Sequence, residues 1–370
     1  MKAEVGRTMT MTRTLLAAAA AVATACASGP PPKPAVVWPD PPEVARIRFV
    51  TSFRSGADLD HDGWGDFKRG LLGGTSREAA LSHPMGLALS DDGQRLYVAD
   101  LRGSQVLVAD FARKTVERFA PDENFPFPFN VAVDAEENVY VADSVARSVS
   151  VFDRHGKRLR SFGQKEGLER PTGLAIDRKR GLVYVSDTSH SQSGNHRVFA
   201  YTLEGKVVRE VGHGRGSEDG AFNFPSYLAL DATGNLYVND SMNFRVQVFD
   251  ADGQFLRAFG KQGDSPGAFG RMKGLAFDSF ENLYVVDGEH AVVQIFNKDF
   301  DALMYFGGHR PDLLEFFDIP SAIAIDRKTN RIYVANQLTP RINVYDLINT
   351  KPDDSKGAGE AAAVPAAPSK

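Results

Sequence analysis

An all-β, six-bladed β-propeller with four antiparallel strands per blade is the fold this chain predicts, and three observations carry the prediction. A pattern of short apolar alternations closed by turn residues recurs six times. The copies start 44, 43, 54, 47 and 48 residues apart, a period that marks toroidal repeats. A strand-like segment near the N-terminus matches the one strand that the last copy lacks.

The clearest copy runs from Pro225 to Gly260. Leu228 and Leu230, Leu236 and Val238, and Val246 and Val248 recur at period two, which puts alternate side chains on one face of a strand. Gln254 to Gly260 supplies a fourth strand, and Thr233-Gly234-Asn235 and Asp252-Gly253 supply tight reversals. One such meander cannot bury its own faces, so neighbouring copies must cover it. The first strand recurs near Pro84, Pro128, Pro171, Pro225, Met272 and Pro320. The second ends at Asp100, Asp143, Asp187, Asp240, Asp287 and Asn336, and the third at Asp110, Asp153, Thr202, Asp250, Asn297 and Asp346.

The sixth copy stops after its third strand. Ala45 to Arg54 (ARIRFVTSFR) has the pattern of a fourth strand but precedes the first blade. A strand from the opposite end of the chain that closes the ring removes a sheet edge, so residues 45–54 are assigned to blade six. The propeller then spans residues 43–349.

DSMNFRVQVFD from Asp240, and SGNHRVFAY from Ser193 with Asn195, His196 and Arg197, resemble the NHL repeat. In that repeat the second strand ends in Asp, and the third begins with Arg after an Asn. The resemblance covers Ala45 to about Ile348 and is best in blades three and four. Blade one has Gly103 and Gln105 at the Asn and Arg positions, blade two Ala146 and Ser148, and blade five His290 and Val292. Such propellers serve as binding platforms, enzymes and sensors, so the resemblance implies architecture and leaves function to the site.

Residues 1–25 read as an export signal, with translation starting at Met1 or Met11: a basic segment around Arg13 precedes an apolar run, Leu15 to Ala23, too short to span a bilayer. Ala23-Thr24-Ala25 leads into Cys26, the only cysteine, and resembles the lipobox of bacterial lipoproteins. The resemblance implies a lipidated Cys26, and Ala27 after it implies transfer to the outer membrane, on its periplasmic or surface side. Residues 26–42 form a proline-rich tether and residues 350–370 a solvated tail without a core to join. A single cysteine excludes an intrachain disulfide.

The formal charge is −4, and about −6 without residues 1–25, which argues against nucleic acid as a partner. Asp58, Asp60, Asp62 and Asp66 are spaced as D-x-D-x-D-G-x-x-D, close to loops that wrap calcium with alternate oxygens. Arg69 stands where an EF-hand has its glutamate, so a polar turn before a short helix from Trp64 to Leu72 is the other reading.

Propeller ligands meet the face that carries the inter-blade loops and the loops between second and third strands. Seven of the eight histidines fall in these loops, but histidine avoids strands and the excess is small. Peptidyl-hydroxyglycine amidating lyase, a related propeller, holds zinc with histidines at inner-strand starts. Here those starts are Met85-Gly86, Phe129-Asn130, Thr172-Gly173, Ser226-Tyr227, Lys273-Gly274 and Ser321-Ala322. Arg102, Arg147, Tyr227, Met242, Phe244, Lys273 and His290 remain as residue types that anchor interfaces on this face. The expectation is a non-catalytic envelope lipoprotein that docks a protein or peptide partner and meets the membrane only through its anchor. The alternative is a metal-dependent lyase or lactonase using the central cavity.

Overall fold

The structure, a computed structural model, describes residues 35–59 and 79–349. The chain divides after Val36 into two units, and the propeller lies in the second. Cys26, Asp60, Asp62, Asp66 and the segment 64–72 lie outside the described residues.

Six antiparallel sheets follow one another along the chain. Blade one comprises Pro84–Leu89, Arg95–Asp100, Gln105–Asp110 and Thr115–Phe119. Blade two comprises Pro128–Val133, Val139–Asp143, Ser148–Phe152 and Arg158–Phe162. Blade three is Pro171–Asp177, Leu182–Asp187, Arg197–Thr202 and Val207–Val211. Blade four is Pro225–Leu230, Leu236–Asp240, Arg245–Phe249 and Phe255–Phe259. Blade five is Met272–Phe277, Leu283–Asp287, Val292–Phe296 and Ala302–Gly307. Inner strands of successive blades touch all the way round, and that of blade six meets that of blade one.

Blade six comprises Pro320–Asp326, Arg331–Asn336 and Arg341–Leu347, closed by Ile47–Phe53 from the other end of the chain. The closing strand is antiparallel, with Ile47 opposite Leu347 and Phe53 opposite Ile342. This blade has five strands rather than four, because Val37–Trp38 adds to the edge opposite Arg48 and Ile47. The stretch 26–42 expected as a tether thus includes a strand at Val37–Trp38. The reason lies in Trp38, whose ring packs 5.7 Å from both Phe316 and Tyr345, an aromatic contact that outweighs leaving the strand in water.

Burial follows position in the blade. Second strands such as Val139–Asp143 and Leu236–Asp240 are buried throughout, since a neighbouring blade covers each face. Outer strands such as Arg158–Phe162 and Val207–Val211 bury only their last residue. Tyr97, Tyr140, Tyr184 and Tyr284, each in a second strand, are essentially inaccessible and anchor the contacts between blades.

The strand-end carboxylates hold the loops. Asp100 accepts from the backbone N–H groups of Ser82 and His83, and Asp143 from those of Phe127 and Ala146. Asp187 accepts from Arg170 N–H, Asp240 from Asn223 N–H and Asp287 from Arg271 N–H. Each aspartate so pins the loop that leads into its blade's inner strand, using a charge-assisted bond in place of a longer ladder. On the opposite face Arg178 of blade three reaches Asp91 of blade one at 2.6 Å, and Lys328 of blade six meets the same carboxylate at 3.4 Å. Those two cations hold the Asp91 carboxyl below the usual carboxylate range.

Candidate functional site

Alternate blades differ at the axis. Blades one, three and five carry Gly86, Gly173 and Gly274 at the third inner-strand position, where blades two, four and six carry Asn130, Tyr227 and Ala322. A Cβ at Gly86 would stand 2.6 Å from Asn130 Cα, and one at Gly274 2.8 Å from Ile323 N, so glycine lets the next inner strand approach. Tyr227 uses the space this creates. Its hydroxyl donates 2.9 Å to the carbonyl of Met85 on the opposite blade, and its ring lies 5.8 Å from that of Phe129. Tyr227 is 4 % exposed. It fills the axis rather than facing a partner, which corrects its place among the docking residues.

The second inner-strand positions line the mouth above this plug: Met85, Phe129, Thr172, Ser226, Lys273 and Ser321. The hydroxyls are engaged within the ring. Thr172 Oγ1 lies 3.0 Å from Ser186 Oγ, Ser226 Oγ lies 2.6 Å from Ser241 Oγ, and Ser321 Oγ donates 2.8 Å to Pro84 O. Lys273 is the one ionisable side chain of the six, and it has no hydrogen-bond or ion-pair partner among the described residues. Burial, and then the charge of Arg271, lower its pKa to about 8. His83, half-buried, is likewise lowered, by burial first and then by Arg102, with Lys273 adding to the effect.

Around the mouth the alternation continues. The residue before each inner strand is His83, Arg170 or Arg271 in the odd blades and Phe127, Phe224 or Ile319 in the even ones. Two residues past the second strand stand Arg102 in blade one and Val145, Met242 and Leu338 in blades two, four and six. Those three apolar side chains are 61 %, 54 % and 57 % exposed. Arg102, Arg170 and Arg271 have no side-chain partner among the described residues.

The other expected residues divide. Arg147 is exposed, donates 3.2 Å from Nε to Leu168 O, and has φ 55°. Phe244, half-buried, closes its turn in the same left-handed conformation, also at φ 55°. His290 is bound on both nitrogens, 2.7 Å from Asp287 and 2.9 Å from Asp264. It is thus a loop latch, doing in blade five what Arg245 does in blade four, where its Nε sits 2.9 Å from Asp240. His196 is buried, and its Nδ1 accepts from Phe224 N–H at 3.1 Å. Asp58 caps the turn Gly56–Leu59, its Oδ2 accepting from the N–H groups of Arg54 and Ser55 at 2.8 and 2.9 Å. Among the described residues no three of His, Cys, Asp and Glu converge as a metal-ligand set, and no helix is long and apolar enough to cross a membrane. Sequence reasoning missed Val145, Leu338, Arg170 and Arg271; aligning the blades in register and comparing odd with even would have found them.

Comparison with known proteins agrees with the architecture. Residues 168–201 match the NHL repeat, and residues 227–319 match a family described as a 6-bladed beta-propeller. The chain is a six-bladed β-propeller that carries an NHL repeat in blade three. A gluconolactonase from Xanthomonas campestris superposes with TM-score 0.60 at 19 % identity, over 86 % of this chain and 99 % of that one. Virginiamycin B lyase from Staphylococcus aureus superposes with TM-score 0.52 at 15 % identity, over 72 % of this chain and 96 % of the enzyme. A Bacteroides thetaiotaomicron protein of unknown function gives TM-score 0.57 at 16 % identity, over 72 % and 70 %. At such identities these neighbours share the fold. No curated protein matches the chain by sequence.

Proposed function

We propose that this propeller is a docking ring of the cell envelope, anchored to the outer membrane through a lipid on Cys26, and that its loop face holds a protein partner. The observation that carries the reading is the trio Val145, Met242 and Leu338, placed at one equivalent loop position in alternate blades and each more than half exposed. Apolar side chains set regularly around a rigid ring are what an interface core requires. Between them stand the unpaired cations Arg102, Arg170 and Arg271, so the partner offers carboxylates beside its apolar contacts.

A second reading rests on Lys273, the lone ionisable group at the axial mouth, with an amine poised for chemistry near neutral pH. Lactone hydrolysis and virginiamycin B cleavage, the activities named for two fold neighbours, are the reactions to assay first.

The test is crosslinking in the intact envelope from a photoreactive residue at position 242. A discrete adduct that disappears with Val145→Asp plus Leu338→Asp, and with reversed charge at Arg102, Arg147 and Lys273, is the expected result. No adduct, or one indifferent to these variants while their melting temperature is unchanged, refutes docking on this face.

A further inference from the structure

Three of the six grooves between successive blades are sealed in a common way, by an arginine at one register position of the outer strand. Met304 and Thr51 stand there in blades five and six, and blade one alone places a carboxylate there. Arg160 in the outer strand of blade two donates 2.9 Å to Leu203 O in the hairpin turn of blade three. Arg209 of blade three reaches Ala251 O in the turn of blade four, and Arg257 of blade four donates 2.8 Å to Lys298 O in the turn of blade five. The three arginines occupy one register position: Arg160 is opposite Val151, Arg209 opposite Ala200 and Arg257 opposite Val248. In blade one that position, opposite Val108, is Glu117. A carboxylate cannot donate to a carbonyl. Glu117 is exposed, and the groove it fails to seal is an open cavity of about 250 Å3 between blades one and two.

The lining of that cavity carries four arginines and two carboxylates, Asp110 and Glu117. Arg95, Arg113 and Arg118 come from blade one, and Arg154 from the turn of blade two. Arg95 and Arg113 share one carboxylate, Asp110, at 3.8 and 3.9 Å. Arg118 and Arg154 have no side-chain partner among the described residues. Tyr97 also lines the cavity, fully buried, and its hydroxyl, beside the Arg95 guanidinium, donates to no acceptor. In the sealed groove beside blade two the equivalent hydroxyl, on Tyr140, accepts 3.1 Å from Arg160 Nη2 and donates to Asp134. Blade one has Ser90 in place of that aspartate. Tyr184 of blade three likewise has a buried hydroxyl without a partner, although Asp177 is present and Arg209 seals its groove, so what distinguishes Tyr97 is the open arginine-lined cavity beside it.

A buried O–H without an acceptor, beside guanidinium groups without anions, is complementary to a dianionic oxyanion: phosphate accepts from the hydroxyl and takes planar donor pairs from arginine. We propose that the groove between blades one and two is a binding site for a phosphate group, held by Tyr97, Arg118 and Arg154, and independent of the loop face. Burial raises the Tyr97 pKa, which keeps the hydroxyl a donor at physiological pH. The same chemistry is offered by a soluble phosphate monoester and by a phospholipid headgroup.

The test titrates inorganic phosphate into the full chain by calorimetry, with sedimentation of phosphatidylcholine vesicles, with and without phosphatidic acid, as the second arm. Glu117→Arg, which rebuilds the seal found in three other grooves, is the decisive variant because it preserves the fold. Saturable phosphate binding abolished by Glu117→Arg, and weakened about tenfold by Tyr97→Phe, is expected for a soluble ligand. Sedimentation that needs phosphatidic acid and is abolished by Glu117→Arg assigns the headgroup instead. Binding in neither arm at millimolar phosphate, or binding that Glu117→Arg leaves intact, overturns the site.

Discussion

The hydroxyl of Tyr227 donates across the propeller axis to the carbonyl of Met85, 2.9 Å away on the opposite blade. One side chain thus ties blade four to blade one through the centre of the ring. Replacing it with Phe leaves the Met85 carbonyl unpaired in a dry site, at a cost of about 1–2 kcal/mol. Tyr227→Ala removes the plug as well and costs about 3–5 kcal/mol, the range for a buried aromatic. Chemical denaturation of the two variants measures both. A Phe variant as stable as the parent would show that the crossing bond contributes nothing.

Lys273 supplies a chemical handle on the axial mouth. Its pKa, lowered to about 8 by burial and by Arg271, leaves it half deprotonated where a solvated lysine near 10.4 is almost fully charged. An amine-directed acylating reagent at about pH 8 therefore labels Lys273 ahead of exposed lysines such as Lys165 and Lys206, read by peptide mass spectrometry. Arg271→Ala moves the midpoint of labelling upward by part of the shift, because burial is the larger cause. Uniform labelling of all lysines would remove the basis of the second functional reading.

Much of this architecture is legible in the residues because it is local. Period-two alternation, Asp-Gly reversals and the lone fourth-strand pattern before blade one are short-range signals, and the closing strand at Ile47–Phe53 falls within the predicted 45–54. The Trp38 strand is only two residues long and depends on Phe316 and Tyr345, far away in sequence, so no local pattern announces it. Tyr227 looks like an interface aromatic in isolation. Only the knowledge that blades four and one face each other shows that it points into the axis. Glu117 is an unremarkable surface residue until the outer strands are set in register and arginine is seen at the same place in three other blades.

His290 makes stability depend on pH. Burial works against its charged form, but Asp264 and Asp287 outweigh burial and raise its pKa above the ordinary value of about 6.5. A histidine whose folded pKa is raised contributes stability that is fully present below the unfolded pKa and is lost as pH rises through the folded one. Melting temperatures at about pH 6 and about pH 8 should therefore differ by more in the parent than in His290→Gln, which removes the titrating group. Asp264→Asn gives an intermediate difference, since Asp264 is exposed and Asp287 still holds the ring. Equal pH dependence in the parent and His290→Gln would place the control of the blade-five loop elsewhere.

Ring closure gives the last prediction. The closing strand is tied to the third strand of blade six by its ladder, by Arg48 to Asp346 at 3.1 Å, and by Phe49 against Tyr345 at 5.6 Å. Trp38 covers the outside of the same tyrosine and of Phe306, with ring centroids 5.7 and 6.1 Å away. Since Trp38 is half-buried, Trp38→Ala costs about 2 kcal/mol, below the range for a fully buried aromatic. The loss falls on the one sheet assembled from both ends of the chain. Hydrogen exchange in Trp38→Ala should then accelerate in Ile47–Phe53 and Arg341–Leu347 before it does in blades two to four. Exchange that rises evenly around the ring would mean that the closing strand is no weaker than any other seam.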